Sequence, residues 1–148
     1  MTALRTYVGT HVIKLDVKGR LFVPAQYRPD FVERAKLMYR GDHLALYSES
    51  GFDNVVARME ELLREGRLGR SDIDDLMQMT ENATVDSQGR LIIPKIMRLA
   101  VNLDAGLVTV GGRLDYLSIV PGGEDESAAV ETYRTKADQA LKFKDLGF

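Results

Sequence analysis

The chain of 148 residues contains no cysteine and no tryptophan, and it has only two histidines. Without cysteine there is no disulfide and no thiolate metal site. His11 and His43 are not part of any set of residues with metal-ligand spacing, so we expect no zinc centre and no other cofactor. No apolar run approaches the roughly 20 residues of a membrane-spanning helix, and residues 1–5 lack the apolar core of a secretory signal. These absences predict a cytoplasmic protein.

The formal net charge is only −2, but the charges are unevenly distributed. Residues 1–40 hold eight Lys or Arg against three Asp or Glu, whereas residues 41–83 hold four against ten. Residues 84–113 are again basic, with four against two, and residues 114–148 are acidic, with four against seven. Clustered positive charge matters more for phosphate binding than the total, so two basic segments indicate a nucleic-acid footprint.

The main feature of the sequence is an internal repeat. The stretch LDVKGRLFVP at residues 15–24 returns as VDSQGRLIIP at residues 85–94, and an arginine follows each proline by four places. The identical pairs are Asp16 and Asp86, Gly19 and Gly89, Arg20 and Arg90, Leu21 and Leu91, Pro24 and Pro94, and Arg28 and Arg98. A repeat at one constant offset predicts two equivalent structural units.

Each copy predicts a tight turn between two strands. Asp suits the first position of a turn and Gly the last, which gives Asp16, Gly19, Asp86 and Gly89 structural turn roles. The predicted hairpins join 11–15 to 21–23 in the first copy and 84–85 to 91–93 in the second. Proline then favours the start of a short helix, at 25–28 and at 95–100.

The segments outside the repeat follow ordinary patterns. Strands are predicted at 36–39, 44–47, 107–110 and 116–120, with Gly111 and Gly112 starting the last turn. A helix is predicted from a Ser50 cap to a stop at Gly66, a second after a Ser71 cap, and a third beyond Pro121. We expect two units, 1–80 and 81–148, that share one barrel core, because each β region alone is too small to bury much surface.

Several polar residues near the turns are candidates for DNA contact, and each also has a simpler interpretation. Arg20 and Arg90 either pair with an acid inside the hairpin or bind phosphate and guanine, which arginine contacts bidentately. Duplication favours the DNA interpretation for both. The further candidates are Lys18, Gln88, Lys14 and Lys95, with Arg5 ranked lower because it is close to the terminus.

Other residues of the repeat are assigned to structure. Arg28 and Arg98 are expected to pair with Asp16 or Asp86 rather than with DNA. Turn capping explains those two aspartates better than a catalytic carboxylate pair does. The sequence has no nucleophile–base arrangement, so we expect no catalytic residue, no metal site and no enzyme.

The paired Asp-x-x-Gly-Arg-apolar-x-apolar-Pro blocks resemble the AbrB-type swapped-hairpin DNA-binding module. Two copies in a chain of this length resemble the MraZ family of bacterial transcriptional regulators. The likeness extends to Tyr7-Val8-Gly9, Leu44-Ala45-Leu46-Tyr47 and Val110-Gly111. Two features depart from the family pattern: Tyr116-Leu117-Ser118-Ile119 replaces an aromatic-Glu-apolar-Trp strand, and Asp72, Asp74 and Asp75 replace arginines.

The resemblance implies an α+β fold, an intramolecular pseudo-dimer of two AbrB-like swapped-hairpin β-barrel halves, each followed by helix. It implies a sequence-specific regulator that binds repeated short promoter boxes in double-stranded DNA, controls a division and cell-wall gene cluster, and associates with the nucleoid. It also implies a ring-like homo-oligomer. The alternative is an antitoxin-like protein-interaction module that acts through the acidic segments 50–79 and 124–148.

Overall fold

The computed structural model describes residues 6–147, so Arg5 lies outside the described range. Within that range the chain forms eight strands and four α-helices, which confirms the predicted α+β class. The strands are β1 Thr10–Leu15, β2 Arg20–Phe22, β3 Lys36–Tyr39, β4 Leu44–Tyr47, β5 Thr80–Asn82, β6 Arg90–Ile92, β7 Gly106–Gly112 and β8 Leu117–Pro121. The helices are α1 Glu49–Arg64, α2 Arg70–Gln78, α3 Lys95–Ala100 and α4 Glu126–Ala140, with 3-10 segments at Arg28–Phe31 and Leu141–Leu146.

The strands form two antiparallel sheets. Six of them run in the order β1-β7-β8-β4-β3-β5, and β2 and β6 form a separate two-stranded ribbon with Leu21 opposite Leu91. The predicted pairing of β1 with β2 is therefore wrong. A backbone bond from Asp16 N–H to Arg20 O, 2.9 Å, closes the turn, but the strands then diverge. β1 instead pairs with β7 over six positions, which satisfies more backbone groups than three-residue β2 offers.

The first strand of the second copy also differs from the prediction. Residues 84–85 are not a strand, and β5 ends before them and pairs with β3. The chain beyond β5 continues along the first copy through two bonds, from Ala83 N–H to Ala35 O and from Val85 N–H to Phe31 O, each 2.9 Å. The segment that leads into each repeat turn, β1 in the first copy and β5 with residues 83–85 in the second, therefore hydrogen-bonds to the other half of the chain.

One hydrophobic cluster draws on both halves of the chain. Its fully buried members include Leu21 and Leu91, which face inward from the centre of the β2–β6 ribbon, together with Phe31 and Ile93. A second cluster packs α1 and α2 on the six-stranded sheet around Met38, Ala45, Tyr47 and Phe52. The ribbon therefore has one face fixed on the main core and one face free.

The helix caps differ by small shifts from the predicted ones. Ser48 rather than Ser50 caps α1, because its Oγ accepts a bond from Gly51 N–H at 3.1 Å. Gly69 rather than Ser71 is the cap of α2, and the Asp72 carboxylate accepts from its N–H at 2.8 Å. Gly66 follows the end of α1 with a left-handed φ of 71°, as the predicted stop requires.

The last two strands also begin and end at different residues from those predicted. Gly111 and Gly112 lie inside β7, and the turn to β8 is closed by Arg113 N–H donating to Tyr116 O at 2.9 Å.

The predicted α3 is confirmed at its predicted bounds, Lys95–Ala100. In residues 6–147 no helix is both long and apolar enough to cross a membrane.

Candidate nucleic-acid interface

The first repeat turn is held by a single carboxylate. Asp16 Oδ1 accepts from the backbone N–H groups of Lys18 and Arg20, both at 2.9 Å, and Oδ2 accepts from Arg20 Nε at 2.7 Å. Gly19 N–H donates to Asp16 O at 3.0 Å, and Gly19 has a φ of 80°, which glycine adopts without strain. Asp16 therefore fixes both the turn backbone and the direction of the Arg20 side chain.

The second turn repeats this geometry. Asp86 Oδ1 accepts from the N–H groups of Gln88 and Arg90 at 2.9 Å, and Oδ2 accepts from Arg90 Nε at 2.9 Å. Gly89 has a φ of 86°, and its N–H donates to Asp86 O at 2.9 Å. The turn roles predicted for Asp86 and Gly89 agree with these contacts.

The same bonds change the acidity of both aspartates. The backbone N–H of Arg20 lowers the pKa of Asp16 most, and desolvation opposes this effect. The Arg20 side chain and the Lys18 N–H lower the pKa further, so the net change is downward. The Arg90 N–H lowers the pKa of Asp86 in the same way. Folding thus favours the ionised carboxylate at both turns.

We expect these carboxylates to make stability depend on acid pH. Because their folded pKa values are depressed, the stabilisation is complete above the unfolded Asp value of about 3.9 and is lost as pH falls through the folded pKa. Asp16→Asn should therefore melt below the wild type at neutral pH, and the difference should shrink below about pH 4. Thermal melts across that range test this.

Asp74→Asn is the control, because Asp74 pairs with Arg70 Nε at 3.0 Å on a helix surface and holds no turn backbone. It should change the neutral-pH melting temperature less than Asp16→Asn does. A gap between Asp16→Asn and the wild type that stays constant down to acid pH would contradict the role given to the carboxylate.

The outer face of the β2–β6 ribbon brings the two arginines together. Side chains alternate along a strand, so Leu21 and Leu91 face the core while Arg20, Phe22, Arg90 and Ile92 face outward. Arg20 is opposite Ile92 and Phe22 is opposite Arg90. The two arginines are diagonal neighbours, a relation that separates residues on adjacent strands by about 7–8 Å.

The arginine side chains are only partly exposed, at 35% for Arg20 and 30% for Arg90. The reason is the ion pair that each forms with its turn aspartate through Nε. A guanidinium has five N–H donors, and within residues 6–147 the terminal nitrogens of these two donate to no other group. The ion-pair interpretation is therefore confirmed, and the terminal nitrogens remain available for a ligand.

The other predicted contacts are distributed over a wider surface. Lys18 and Gln88 are exposed at the two turns, beside Arg20 and Arg90 in sequence. Lys95 is exposed at the start of α3, and Lys14 is exposed on β1, on the strand face that carries Thr10 and Val12. Lys14 and Lys95 therefore lie on different elements from the two arginines, which are on β2 and β6.

The structure corrects the roles of the remaining repeat arginines. Arg28 and Arg98 do not pair with Asp16 or Asp86, whose carboxylates are taken by Arg20 and Arg90. Arg28 Nε donates to Val23 O at 2.6 Å, and Arg98 Nε donates to Ile93 O at 3.1 Å. An arginine beside its acid in the same turn needs no chain closure, which is why the nearer pairing is favoured.

Sequence reasoning missed two features. Phe22 and Ile92 leave 54% and 61% of their surface exposed beside the arginines, and their alternation with buried Leu21 and Leu91 was the available signal. His43, which was given no partners, is buried between Asp42 Oδ1 at 2.6 Å and the Tyr116 hydroxyl at 3.0 Å. Tyr116 is 73 residues away in sequence, so no local pattern reports that contact.

The same described residues, 6–147, contain no cluster of three or more His, Asp or Glu side chains that would hold a metal ion. The chemistry that the ribbon face offers is therefore hydrogen-bond donation from two fixed guanidinium groups, flanked by two exposed apolar side chains and by polar turns. Such a surface suits recognition of an acceptor-rich, anionic partner.

Comparison with known proteins gives consistent matches. The sequence model of the family described as "MraZ protein, putative antitoxin-like" matches residues 6–67. The chain is 33% identical over 139 residues to a protein named transcriptional regulator MraZ from Mycobacterium leprae, strain Br4923, covering 91% of this chain and 96% of that one. It is 29% identical over 140 residues to the protein of that name from Mycolicibacterium smegmatis, covering 92% and 97%. The one from Mycobacterium ulcerans is 30% identical over 139 residues, covering 91% and 96%.

These relatives align with both copies of the repeat, including the turns and the ribbon that carries Arg20 and Arg90. Because the similarity extends over nearly the whole of both chains, this chain belongs to the MraZ family.

Proposed function

We propose that this chain is a sequence-specific DNA-binding transcriptional regulator that reads double-stranded DNA with the outer face of the β2–β6 ribbon. The observation that carries the proposal is the pair of guanidinium groups, each tied to its own Asp-x-x-Gly turn through Nε, a bond that does not use its terminal nitrogens. The names of the relatives support it. The role is regulatory and non-enzymatic, at the nucleoid and on repeated short promoter boxes of a division and cell-wall gene cluster.

The ribbon has the dimensions that the proposal needs. The major groove of B-DNA admits a two-stranded β-ribbon, and arginine makes bidentate bonds to guanine O6 and N7 there. Phe22 and Ile92, each opposite one of the arginines, are suited to apolar contact with thymine methyl groups. Lys18, Gln88, Lys14 and Lys95 would position the ribbon through phosphate or base-edge contacts.

The proposal includes the swapped-hairpin pseudo-dimer. Two observations support it: β2 pairs with β6 about a centre at Leu21 and Leu91, and β1 and the 80–85 segment each bond to the opposite half. On this view 1–80 and 81–148 are two units that share one barrel core. The two turns then present their arginines in a nearly two-fold arrangement.

We also propose self-association into a ring. Large apolar side chains stay exposed at two separate places: Ile96 and Leu99 on α3, and Val130 and Tyr133 on α4, which overhangs a groove of about 970 Å³. Exposed apolar patches usually mark contacts. Two different patches suit a head-to-tail interface, and such an interface generates a ring when the rotation closes.

The proposal predicts salt-sensitive, sequence-dependent DNA binding by an oligomer. The full chain is titrated with a duplex selected from a random library by the wild-type protein and with a scrambled duplex, over a series of salt concentrations. Affinity for both should fall as salt rises, because phosphate contacts release counterions, and the selected duplex should bind more tightly throughout. Light scattering on the same samples should report an oligomer.

The alternative is an antitoxin-like module that binds a protein through its acidic helices, and the family description and the exposed acids of α2 favour it. The triple variant Asp72→Asn, Asp74→Asn and Asp75→Asn separates the two. It should leave the affinity for the selected duplex intact if the ribbon reads DNA. A folded wild type that binds neither duplex at low salt would replace the DNA proposal with this alternative.

A further inference from the structure

Each turn glycine is covered by an arginine from the other copy of the repeat. A Cβ placed on Gly19 would lie 2.6 Å from Nε and 2.8 Å from Cζ of Arg98. A Cβ placed on Gly89 would lie 2.5 Å from Nε and Cζ of Arg28. The guanidinium groups therefore occupy the space beside each glycine, and the contact is reciprocal: the arginine of each copy covers the turn of the other.

The same arginines are tied to the backbone that supports those turns. Arg28 Nε donates to Val23 O at 2.6 Å, and Val23 N–H donates to Gly89 O at 2.9 Å. In the other direction Arg98 Nε donates to Ile93 O at 3.1 Å, and Ile93 N–H donates to Gly19 O at 2.8 Å. The backbone of a single residue, Val23 or Ile93, thus connects each arginine to the turn that it covers.

We propose that Arg28 positions the second turn, and through it Arg90, whereas Arg98 positions the first turn and Arg20. Each DNA-reading turn then depends on both copies of the repeat. The arginine that contacts DNA comes from one copy, and the arginine that supports the turn comes from the other. The assignment to DNA reading rests on the proposed function, but the crosswise support of the turns does not. Neither arginine needs to touch DNA for this role.

The physical argument depends on the shortness of the ribbon. Strands β2 and β6 pair over only three positions each, so few backbone bonds fix the turns at their ends. A planar guanidinium packed on Gly89 restricts the turn at the residue between Gln88 and Arg90, whose N–H groups the Asp86 carboxylate holds. The turn is then held at three successive residues, so the direction of Arg90 is set before a ligand arrives, and preorganisation of this kind improves affinity.

Amide hydrogen exchange of the free protein tests the crosswise support. Arg28→Ala should speed exchange at Gln88, Gly89 and Arg90 by about two- to tenfold, the effect of losing one hydrogen bond, and should leave residues 18–20 nearly unchanged. Arg98→Ala should do the reverse. Arg34→Ala, which removes an exposed arginine paired with Glu49 at 3.3 Å, is the control and should change neither turn.

Arg28→Lys covers the case in which Arg28→Ala does not fold. Lysine keeps the charge and the length but lacks the planar group and its Nε–H, so it should give the same crosswise pattern with a smaller rise. Faster exchange in the turn of the same copy, in both turns equally, or in neither turn would overturn the proposal.

A double-mutant cycle on the selected duplex tests the consequence for DNA. The affinity losses of Arg28→Ala and Arg90→Ala should be less than additive, because both substitutions affect the second turn. The losses of Arg28→Ala and Arg20→Ala should be additive, because they affect different turns. A direct phosphate contact by Arg28 would instead reduce the salt dependence without any change in exchange, and this result would overturn the positioning role. If the wild type binds no DNA, the proposed function fails, and the exchange pattern still decides the crosswise support.

Discussion

Replacing either ribbon arginine, Arg20→Ala or Arg90→Ala, should weaken binding to the selected duplex by about fivefold to more than a hundredfold while the protein stays folded. The affinity loss corresponds to about 1–3 kcal/mol for one bidentate contact to a base. The cost in stability should be at most about 1 kcal/mol, because each lost ion pair is partly exposed. In a ring the loss recurs in every subunit, so the measured drop in avidity can be much larger.

The chain offers a matched control in Arg70→Ala, which removes an arginine that is paired through Nε with an aspartate four residues away at 3.0 Å, like Arg20 but on the surface of α2. It should leave DNA binding unchanged. A contact to a base should lower affinity for the selected duplex more than for the scrambled one, whereas a phosphate contact should lower both alike. Arginine variants that are folded and bind DNA like the wild type would refute the reading role of the ribbon.

The largest loss of stability is expected from alanine at the turn glycines. Gly19→Ala and Gly89→Ala each place a side chain at a left-handed φ, which costs roughly 1–2 kcal/mol, and also force it against a guanidinium, which adds about 1–3 kcal/mol. The free energy of unfolding should fall by about 2–5 kcal/mol in total. A chain of this size loses about 2–4 °C of melting temperature per kcal/mol.

Gly41→Ala separates the two causes. Gly41 has a φ of 89°, but its Cβ would meet no atom within 4 Å, so only the backbone cost applies. The excess of Gly19→Ala over Gly41→Ala then measures the contacts with the Arg98 guanidinium and with Ile93 O, which would lie 3.0 Å from the new Cβ. Adding Arg98→Ala to Gly19→Ala should remove most of that excess, and equal losses at Gly19 and Gly41 would show that the guanidinium yields without cost.

Local sequence patterns were sufficient for the two repeat turns and for some of the strands and helices. Asp16 and Gly19 have side-chain and backbone preferences that act over four residues, so their roles follow from spacing alone. Residues 36–39, 44–47 and 95–100 were predicted at their observed bounds because their apolar patterns are undisturbed. Cap positions such as Ser48 moved by two residues, since several neighbouring side chains can accept the same N–H groups.

Local sequence patterns could not predict which strands pair when the partners are far apart in the chain. The sequence is compatible both with a hairpin of β1 and β2 and with the observed pairing of β2 with β6. Only the competition of all the strands for backbone bonds selects β6 as the partner of β2 and β7 as the partner of β1. The contacts of Arg28 and Arg98 follow from that choice, so they were assigned to the wrong partners. The half-burial of Arg20 and Arg90 has a local origin instead, because each side chain pairs through Nε with the aspartate four residues before it.

The covalent link between the two copies gives the ribbon a polarity. A symmetric dimer of identical chains must present the same side chain at both turns and therefore suits a palindrome. Here the turns carry Lys18 at one end and Gln88 at the other, and the short helical segments that follow differ as well, with Pro29 in one and Leu99 in the other. If the ribbon reads DNA as proposed, a single chain would thus distinguish the two directions along the duplex, and a row of such chains would bind direct repeats in one orientation.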